Sequence, residues 1–133
     1  MIKALIIDDS QEVRTTIKDT LSSSDLDVQV LEAADGDEGV RKIGEANDYD
    51  IFIVDYHMPG YNGLEVAEKI RENSSFKATP IMVYTTETDK ALIKKARRLE
   101  RLTWVIKPMY GPNFIMAFKG SLGLKWKTGE KAS

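Results

Sequence analysis

The chain has 133 residues, 42% hydrophobic and 30% charged, which is the size and composition of one globular domain with a hydrophobic core. Its formal net charge of -2 argues against a polyanionic partner, and the lack of cysteine excludes a disulfide framework and a thiolate metal site. No apolar run approaches the roughly 20 residues of a membrane helix, and a strand is predicted from Ile2 onward, so we expect a cytoplasmic protein without a signal peptide or membrane insertion.

Five short apolar segments alternate with five segments of helical periodicity. The predicted strands cover residues 4–7, 28–33, 51–54, 81–84 and 103–106, and the predicted helices begin near Ser10, Gly36, Asn62, Asp89 and Gly111. Strict strand–helix alternation predicts a parallel sheet with right-handed crossovers and helices on both faces. The sequence therefore indicates an α/β, doubly wound parallel sheet, with the two most apolar strands, 4–7 and 51–54, at its centre.

Capping and turn residues indicate where helices begin and where the domain ends. Ser10 is a good helix N-cap, and Pro112 suits the first position of the last helix. The fourth helix is expected to carry Leu92, Ala96 and Leu99 on its inner side. The sequence becomes polar and basic near its end, so we expect a domain over 1–120 and a loosely packed tail over 121–133, with Lys125, Lys127 and Lys131.

Polar side chains directly follow four of the predicted strands: Asp8 and Asp9, Asp55, Thr85, and Lys107. The carboxyl ends of parallel strands share the sheet edge where ligands bind in open α/β folds, so these groups should converge. Adjacent carboxylates repel one another unless a cation intervenes, and oxygen ligands of this kind suit Mg²⁺. Helix capping alone accounts for Asp9 and Ser10 but leaves the groups at the other strand ends unexplained.

The expected cluster suits phosphoryl transfer. A carboxylate can act as a nucleophile and form an aspartyl phosphate, and Asp55 is the candidate. Asp8 and Asp9 would hold the metal. Lys107 would neutralise the phosphoryl oxygens, while the hydroxyl of Thr85 would donate a hydrogen bond to one of them.

Taken in chain order, the residues at the strand ends resemble those of the receiver domain of two-component response regulators, in its stand-alone CheY-like form. The matching positions run from Ile2 to about Phe118 and comprise Asp8-Asp9, Asp55, Met58-Pro59-Gly60, Asn62-Gly63, Thr85 and Lys107-Pro108. The resemblance implies a flavodoxin-like (βα)5 fold with strand order 2-1-3-4-5, of which CheY is itself a standard example. It also implies Mg²⁺-dependent phosphorylation of Asp55 by a histidine kinase.

The resemblance further implies a metal site formed by Asp8, Asp9, Asp55 and the backbone carbonyl of His57. The imidazole of His57 either faces solvent, which we favour, or hinders or orients the water that hydrolyses the phosphate. One histidine among aspartates is a poor zinc site. The resemblance also implies a cis peptide bond between Lys107 and Pro108, since only X-Pro bonds adopt cis at low cost.

Two residues depart from the family's usual switch. The family couples a hydroxyl, here Thr85, to an aromatic ring that follows it inward. Trp104 stands where Tyr or Phe is usual, and its bulk argues against free rotation; alternatively, it caps the core at the edge strand. Thr86 is larger than the residue often found after the hydroxyl, so we expect it to narrow access to Asp55.

In the family, helix 4, strand 5 and helix 5 form the output face. A run of cations lies there: Lys90, Lys94, Lys95, Arg97, Arg98 and Arg101. Such a run is usually a solvated helix face, but on an output face it favours an acidic partner. No effector domain is expected beyond residue 120, so we expect the chain to bind a target protein or to relay its phosphoryl group to a histidine phosphotransfer protein.

Two other functions are weaker interpretations. An aspartyl-phosphate phosphatase usually needs a second acid near the nucleophile as proton donor, and position 57 holds His and offers no carboxylate. A nucleic-acid binder that uses the basic helix is disfavoured by the net charge and by the lack of a recognition motif. We therefore expect a switch and not a turnover enzyme.

Overall fold

A computed structural model describes residues 1–123, which contain one five-stranded parallel sheet with helices on both faces. The elements, in chain order, are β1 (Ile2–Ile7), α1 (Gln11–Ser22), β2 (Val28–Ala33), α2 (Gly36–Glu45), β3 (Ile51–Val54), α3 (Gly63–Glu72), β4 (Ile81–Thr85), α4 (Lys90–Ala96), β5 (Leu102–Ile106) and α5 (Gly111–Leu122). A short 3₁₀ turn, Ser74–Phe76, follows α3. None of the described helices is long and apolar enough to cross a membrane.

The strand order is β2-β1-β3-β4-β5, which confirms the predicted fold and topology. The two most apolar strands, β1 and β3, lie side by side inside the sheet, with Ala4 opposite Ile51 and Ile7 opposite Val54. These residues have almost no solvent exposure. Since both faces of these strands are covered, an unbroken apolar run is what their position requires.

Alternate side chains of the strands pack into two apolar layers, one on each face of the sheet. Phe52 and Val54 belong to the layer that also contains residues of α2, α3 and α4. Ile53 belongs to the layer of α1 and α5, where Phe114 and Phe118 are buried. Burying one large apolar side chain stabilises the fold by roughly 1.5–3 kcal/mol, so the two layers hold the carboxyl edge of the sheet in a fixed geometry.

Helix N-caps place the first turns of the helices at that edge. The hydroxyl of Ser10 accepts a hydrogen bond from Val13 N at 3.2 Å, as its sequence position predicts. Asn62 and Glu65 form a reciprocal capping box at the start of α3. At the next residue, Gly63, a Cβ atom would lie 2.4 Å from the carbonyl oxygen of Asp55. Glycine therefore allows α3 to begin directly against the end of β3.

The fourth helix is shorter than predicted. It ends at Ala96, and Leu99 lies in a following turn where its N–H donates to the Ala96 carbonyl at 3.0 Å. The chain then reverses through Arg101, whose positive φ of 56° ends any helical continuation. Ala96 is buried as predicted, whereas Leu99 packs against the core from outside the helix.

The last helix continues to Leu122, two residues past the predicted end of the domain at residue 120. Most of the predicted basic tail, including Lys125, Lys127 and Lys131, lies outside the described residues. The tail therefore stays a prediction.

Candidate functional site

Three buried polar side chains lie together at the carboxyl edge of the sheet. Among the described residues, Asp8, Asp55 and Thr85 are the polar or charged side chains classed as buried, with exposed fractions of 2%, 7% and 0%. Each stands at the end of a different strand or directly after it. Burial of polar groups costs free energy unless they are paired, so their concentration here marks a site rather than a part of the apolar core.

The carboxylates form the cluster that the sequence predicts. One oxygen from each of Asp8, Asp9 and Asp55 lies within 4.8 Å of the others, with Asp9 exposed to solvent. The carbonyl of His57 accepts no hydrogen bond from the part of the chain that the structure describes. Carboxylate and carbonyl oxygens are the ligands that Mg²⁺ prefers, and an open side leaves room for its waters. The residues present therefore fit the magnesium ion that the resemblance implies.

Lys107 reaches into this cluster from the end of β5. Its Nζ lies 2.9 Å from Asp8 Oδ2 and 3.4 Å from Asp55 Oδ2. Burial lowers the pKa of Lys107, but the hydrogen bond to Asp8 and the charges of both aspartates outweigh it, so the net pKa is raised. The ammonium is therefore a fixed positive charge beside Asp55.

Burial disfavours the charged form of Asp8 as well, but for a carboxyl this raises the pKa. It raises the pKa of this carboxyl above its ordinary value, although hydrogen bonds from Ser10 N and Lys107 oppose the shift. The Ser10 bond to Asp8 Oδ1 is 2.9 Å long. Arg14 donates to the Asp8 carbonyl at 2.7 Å, which anchors the backbone at the same point. Asp8 is thus held rigidly, in a site that favours an additional cation.

Backbone hydrogen bonds fix the strand ends relative to one another. Asp55 N donates to the Ile7 carbonyl at 2.9 Å, and Lys107 N donates to the Thr85 carbonyl at 2.8 Å. The peptide bond between Lys107 and Pro108 is cis. The five residues predicted from the strand ends are therefore brought to one edge by the sheet itself.

The loop after β4 contains a residue that the sequence did not indicate. Glu87 N donates to Thr85 Oγ1 at 3.3 Å, and the Glu87 carboxylate lies 2.8 Å from His57 Nε2. The Glu87 carbonyl accepts a hydrogen bond from Trp104 Nε1 at 3.0 Å. Glu87 thus contacts three of the predicted site residues. Glu87 lies in a polar loop, where no hydrophobic periodicity indicates which residues face the site. The only sequence clue to its role is that it lies two residues after Thr85.

The two departures from the family pattern occupy different environments. Trp104 is 8% exposed, and its ring centroid lies 6.2 Å from that of Tyr56. The indole is thus already turned inward and tied to the loop after β4. Thr86 is exposed, and its expected narrowing of access to Asp55 stays a prediction. His57 has an imidazole that is 57% exposed and bonded to Glu87.

Comparison with known proteins gives three kinds of agreement. Residues 4–119 match the family described as the response regulator receiver domain. The chain belongs to this family. The chemotaxis protein CheY1 of Helicobacter pylori is 38% identical over 107 residues, which cover 80% of this chain and 86% of that protein. The CheY homologue of Campylobacter jejuni is 36% identical over 107 residues, covering 80% of this chain and 82% of its own length.

Solved structures of receiver domains agree with the fold. Vibrio cholerae chemotaxis protein CheY4 superposes with a TM-score of 0.80 at 30% identity, covering 91% of this chain and 98% of that one. The response regulator TrrA of Thermotoga maritima, solved with Mg²⁺ and beryllofluoride, has a TM-score of 0.77 at 26% identity and covers 91% of this chain and 99% of its own. The chain is therefore a CheY-like receiver domain of two-component signalling, a family in which Mg²⁺ binding and phosphorylation are typical.

Proposed function

We propose that this receiver domain accepts a phosphoryl group on Asp55 from a histidine kinase or a histidine phosphotransfer protein, with Mg²⁺ as cofactor, and that phosphorylation switches its binding to a target protein. The observation that carries the proposal is the position of Lys107 Nζ, between Asp8 and Asp55 in a buried carboxylate cluster. A fixed cation beside an otherwise repulsive set of acids suits the binding of a phosphoryl group.

The chemistry follows from the placement of the groups. An oxygen of Asp55 attacks the phosphorus of a phosphohistidine, the P–O bond forms as the P–N bond breaks, and the imidazole leaves. Mg²⁺ held by the three aspartates and the His57 carbonyl would add positive charge at the phosphoryl oxygens. Lys107 exchanges its contact with Asp55 for a phosphoryl oxygen. Because Thr85 Oγ1 accepts from Glu87 N, its own hydroxyl hydrogen remains available to donate to the phosphate.

A phosphatase that turns over through an aspartyl phosphate remains the weaker alternative. Such an enzyme needs an acid that can protonate the leaving group. Glu87, an acid in the loop after β4, has one carboxylate oxygen against His57 and the other accepting from the N–H groups of Thr88 and Asp89. A switch that is phosphorylated and slowly hydrolysed accounts better for this arrangement.

The surface of α4 supports an acidic target. The helix and the turn after it carry six exposed cations, none with an ion-pair partner within 4.0 Å among residues 1–123: Lys90, Lys94, Lys95, Arg97, Arg98 and Arg101. Unpaired charges of one sign on a protein surface steer and select partners of the opposite sign. A phosphorelay partner remains the alternative recipient of the signal.

The phosphorylation proposal is tested by incubating the protein with a small-molecule phosphodonor, with and without Mg²⁺. We expect one phosphoryl group per chain, only with Mg²⁺, and none on Asp55→Asn. Asp19→Asn is the matched control, because it removes an exposed aspartate on α1 outside the cluster. Labelling of Asp55→Asn to the wild-type level would show that the site is wrong, and steady turnover of a phosphate ester would favour the phosphatase.

The target proposal is tested by comparing proteins captured by the phosphorylated and unphosphorylated chain. We expect the captured partner to be lost on charge reversal of Lys94 and Lys95, with labelling of Asp55 unchanged. Capture that is independent of both phosphorylation and these lysines contradicts the proposal. The cytoplasmic location expected from the sequence stays a prediction, which cell fractionation checks.

A further inference from the structure

Tyr84, the residue before Thr85 on β4, is fastened to the loop that follows β5. Its hydroxyl accepts a hydrogen bond from Met109 N at 2.9 Å and donates one to Met109 O at 3.2 Å. Its ring packs edge-on against Phe114, with centroids 5.2 Å apart. Only 7% of Tyr84 is exposed. The hydroxyl therefore ties one strand end to a loop 25 residues further along the chain.

The same side chain contacts the cation of the site. Lys107 Nζ lies 5.7 Å from the centroid of the Tyr84 ring, a cation–π distance. Met109, which the hydroxyl holds, is two residues beyond Lys107 in the sequence. The backbone around Lys107 is therefore held at two points. Its own N–H bonds to the Thr85 carbonyl, and two residues further on Met109 N bonds to the Tyr84 hydroxyl.

Packing holds Met109 against the apolar layer of α1 and α5, but the same loop borders an open pocket. A cavity of about 230 Å³ lies between the loop and α1, and Pro108, Met109 and Tyr110 line it together with Tyr84. Tyr110 is 71% exposed. Because the loop borders this open pocket on one side, the bonds from Tyr84 add a specific restraint to the packing of Met109.

We propose that Tyr84 is a positioning residue for phosphorylation: its hydroxyl holds the Met109 backbone, and thereby keeps the ammonium of Lys107 where it meets a phosphoryl oxygen on Asp55. This inference rests on the proposed function. A hydrogen bond between neutral groups contributes roughly 0.5–1.5 kcal/mol. Its loss should therefore weaken phosphoryl binding roughly two- to tenfold, without touching a metal ligand.

The test titrates Mg²⁺ alone, and then beryllofluoride at saturating Mg²⁺, on wild type and Tyr84→Phe. We expect an unchanged Mg²⁺ affinity, because the carboxylates are intact, and a beryllofluoride affinity lowered by roughly two- to tenfold. A merely structural role would lower the melting temperature without separating the two affinities. Tyr110→Phe is the matched control: it removes a hydroxyl from the same loop that makes no hydrogen bond within the described residues.

Each outcome decides a different point. Equal beryllofluoride affinities in wild type and Tyr84→Phe, or a loss of Mg²⁺ affinity in the same proportion, overturn the role of Tyr84 and leave the proposed function standing. No binding of beryllofluoride by wild type overturns the proposed function, and this inference falls with it.

A second measurement needs no variant and holds even if Tyr84→Phe does not fold. Amide hydrogen exchange in wild type should show Met109 N–H protected at least about tenfold more than Tyr110 N–H, which has no hydrogen-bond acceptor among the described residues. Equal, fast exchange of the two amides would mean that the Tyr84 bond is not maintained in solution, and would overturn the inference.

Discussion

The carboxylate of Glu87 lies 2.8 Å from His57 Nε2 and thereby joins the loop after β4 to the residue two positions beyond Asp55. The second oxygen of Glu87 accepts from the N–H groups of Thr88 and Asp89, so the carboxylate is fixed from both sides. This contact borders the candidate site on one side and joins two side chains that are 30 residues apart in the sequence.

We predict that breaking this contact shortens the lifetime of the aspartyl phosphate. Glu87→Ala and His57→Ala should each speed dephosphorylation roughly two- to fivefold, because an exposed pair contributes up to about 1 kcal/mol and its loss loosens the loop that is bonded to Thr85 in the site. The decay of labelled protein after removal of the phosphodonor measures the rate. The double variant should decay no faster than Glu87→Ala, which also loses the bonds to Thr88 and Asp89. Additive effects would show that the two residues act separately.

A second prediction concerns the hydrogen bond from Trp104 Nε1 to the Glu87 carbonyl. Since Glu87 N also bonds Thr85 Oγ1, a movement of Thr85 toward a phosphate should disturb this bond. Beryllofluoride with Mg²⁺ should therefore change the fluorescence of Trp104 and the amide shifts of residues 86–106. Trp126→Phe removes the other tryptophan signal, and Asp55→Asn should abolish the change. A response confined to the loop around Asp55 would favour a pure phosphorelay role.

The third prediction follows from the raised pKa of Asp8. Burial favours the protonated carboxyl in the folded protein, so Asp8 stabilises the metal-free fold most below its ordinary pKa of 3.8. This contribution is lost as the pH rises through the higher folded pKa. Asp8→Asn should therefore raise the free energy of unfolding at neutral pH without Mg²⁺, and the gain should vanish near pH 3. Denaturant unfolding at several pH values measures it. A variant less stable than wild type at neutral pH would contradict the assignment.

The sequence predicted the central strands well because they are buried. Runs such as Ile51–Val54 are apolar on both faces, and the polar residue after each run marks the strand end. The convergence of Asp8, Asp55 and Lys107 then follows from topology alone. Glu87 and Tyr84 escaped prediction for another reason. Their contacts join side chains to loop backbone over long sequence separations, and such bonds leave no periodic pattern.

The end of α4 shows the same limit. Apolar spacing continues through Leu99, but the helix stops at Ala96. The turn that follows is held from α3, where Arg71 donates from Nε and Nη2 to the Glu100 carbonyl and from Nη1 to the Phe76 carbonyl. A tertiary contact therefore stabilises the turn that follows the helix, and local propensity does not reveal it.

A fourth prediction tests that contact. Arg71→Ala should lower the free energy of unfolding by about 2 kcal/mol, because hydrogen bonds from a charged donor contribute more than neutral ones. Arg71→Lys should not restore it, since an ammonium lacks the planar fork that serves two carbonyls at once. Arg41→Ala, which removes an exposed side chain of α2, is the control and should change stability by less than about 0.5 kcal/mol. Equal losses for both variants would contradict the role of Arg71.

The last prediction separates metal binding from phosphate binding. Asp9 belongs to the carboxylate cluster and is exposed, so Asp9→Ala should weaken Mg²⁺ binding roughly ten- to hundredfold. Glu12→Ala is the control, because it removes an exposed acid in the first turn of α1 outside the cluster and should leave Mg²⁺ affinity unchanged. Isothermal titration measures both affinities.

Lys107→Ala, in contrast, should not weaken Mg²⁺ binding. Its ammonium competes for oxygens of Asp8 and Asp55, so its removal should leave Mg²⁺ affinity unchanged or raise it. The same change should weaken beryllofluoride binding roughly tenfold or more, because a charge-assisted hydrogen bond to the phosphoryl mimic is lost. It should also abolish the Trp104 response. Loss of Mg²⁺ affinity in Lys107→Ala would contradict this prediction, because the carboxylates would then not hold the ion independently of the lysine. Full Mg²⁺ affinity in Asp9→Ala would also contradict it, because Asp9 would then not hold the ion.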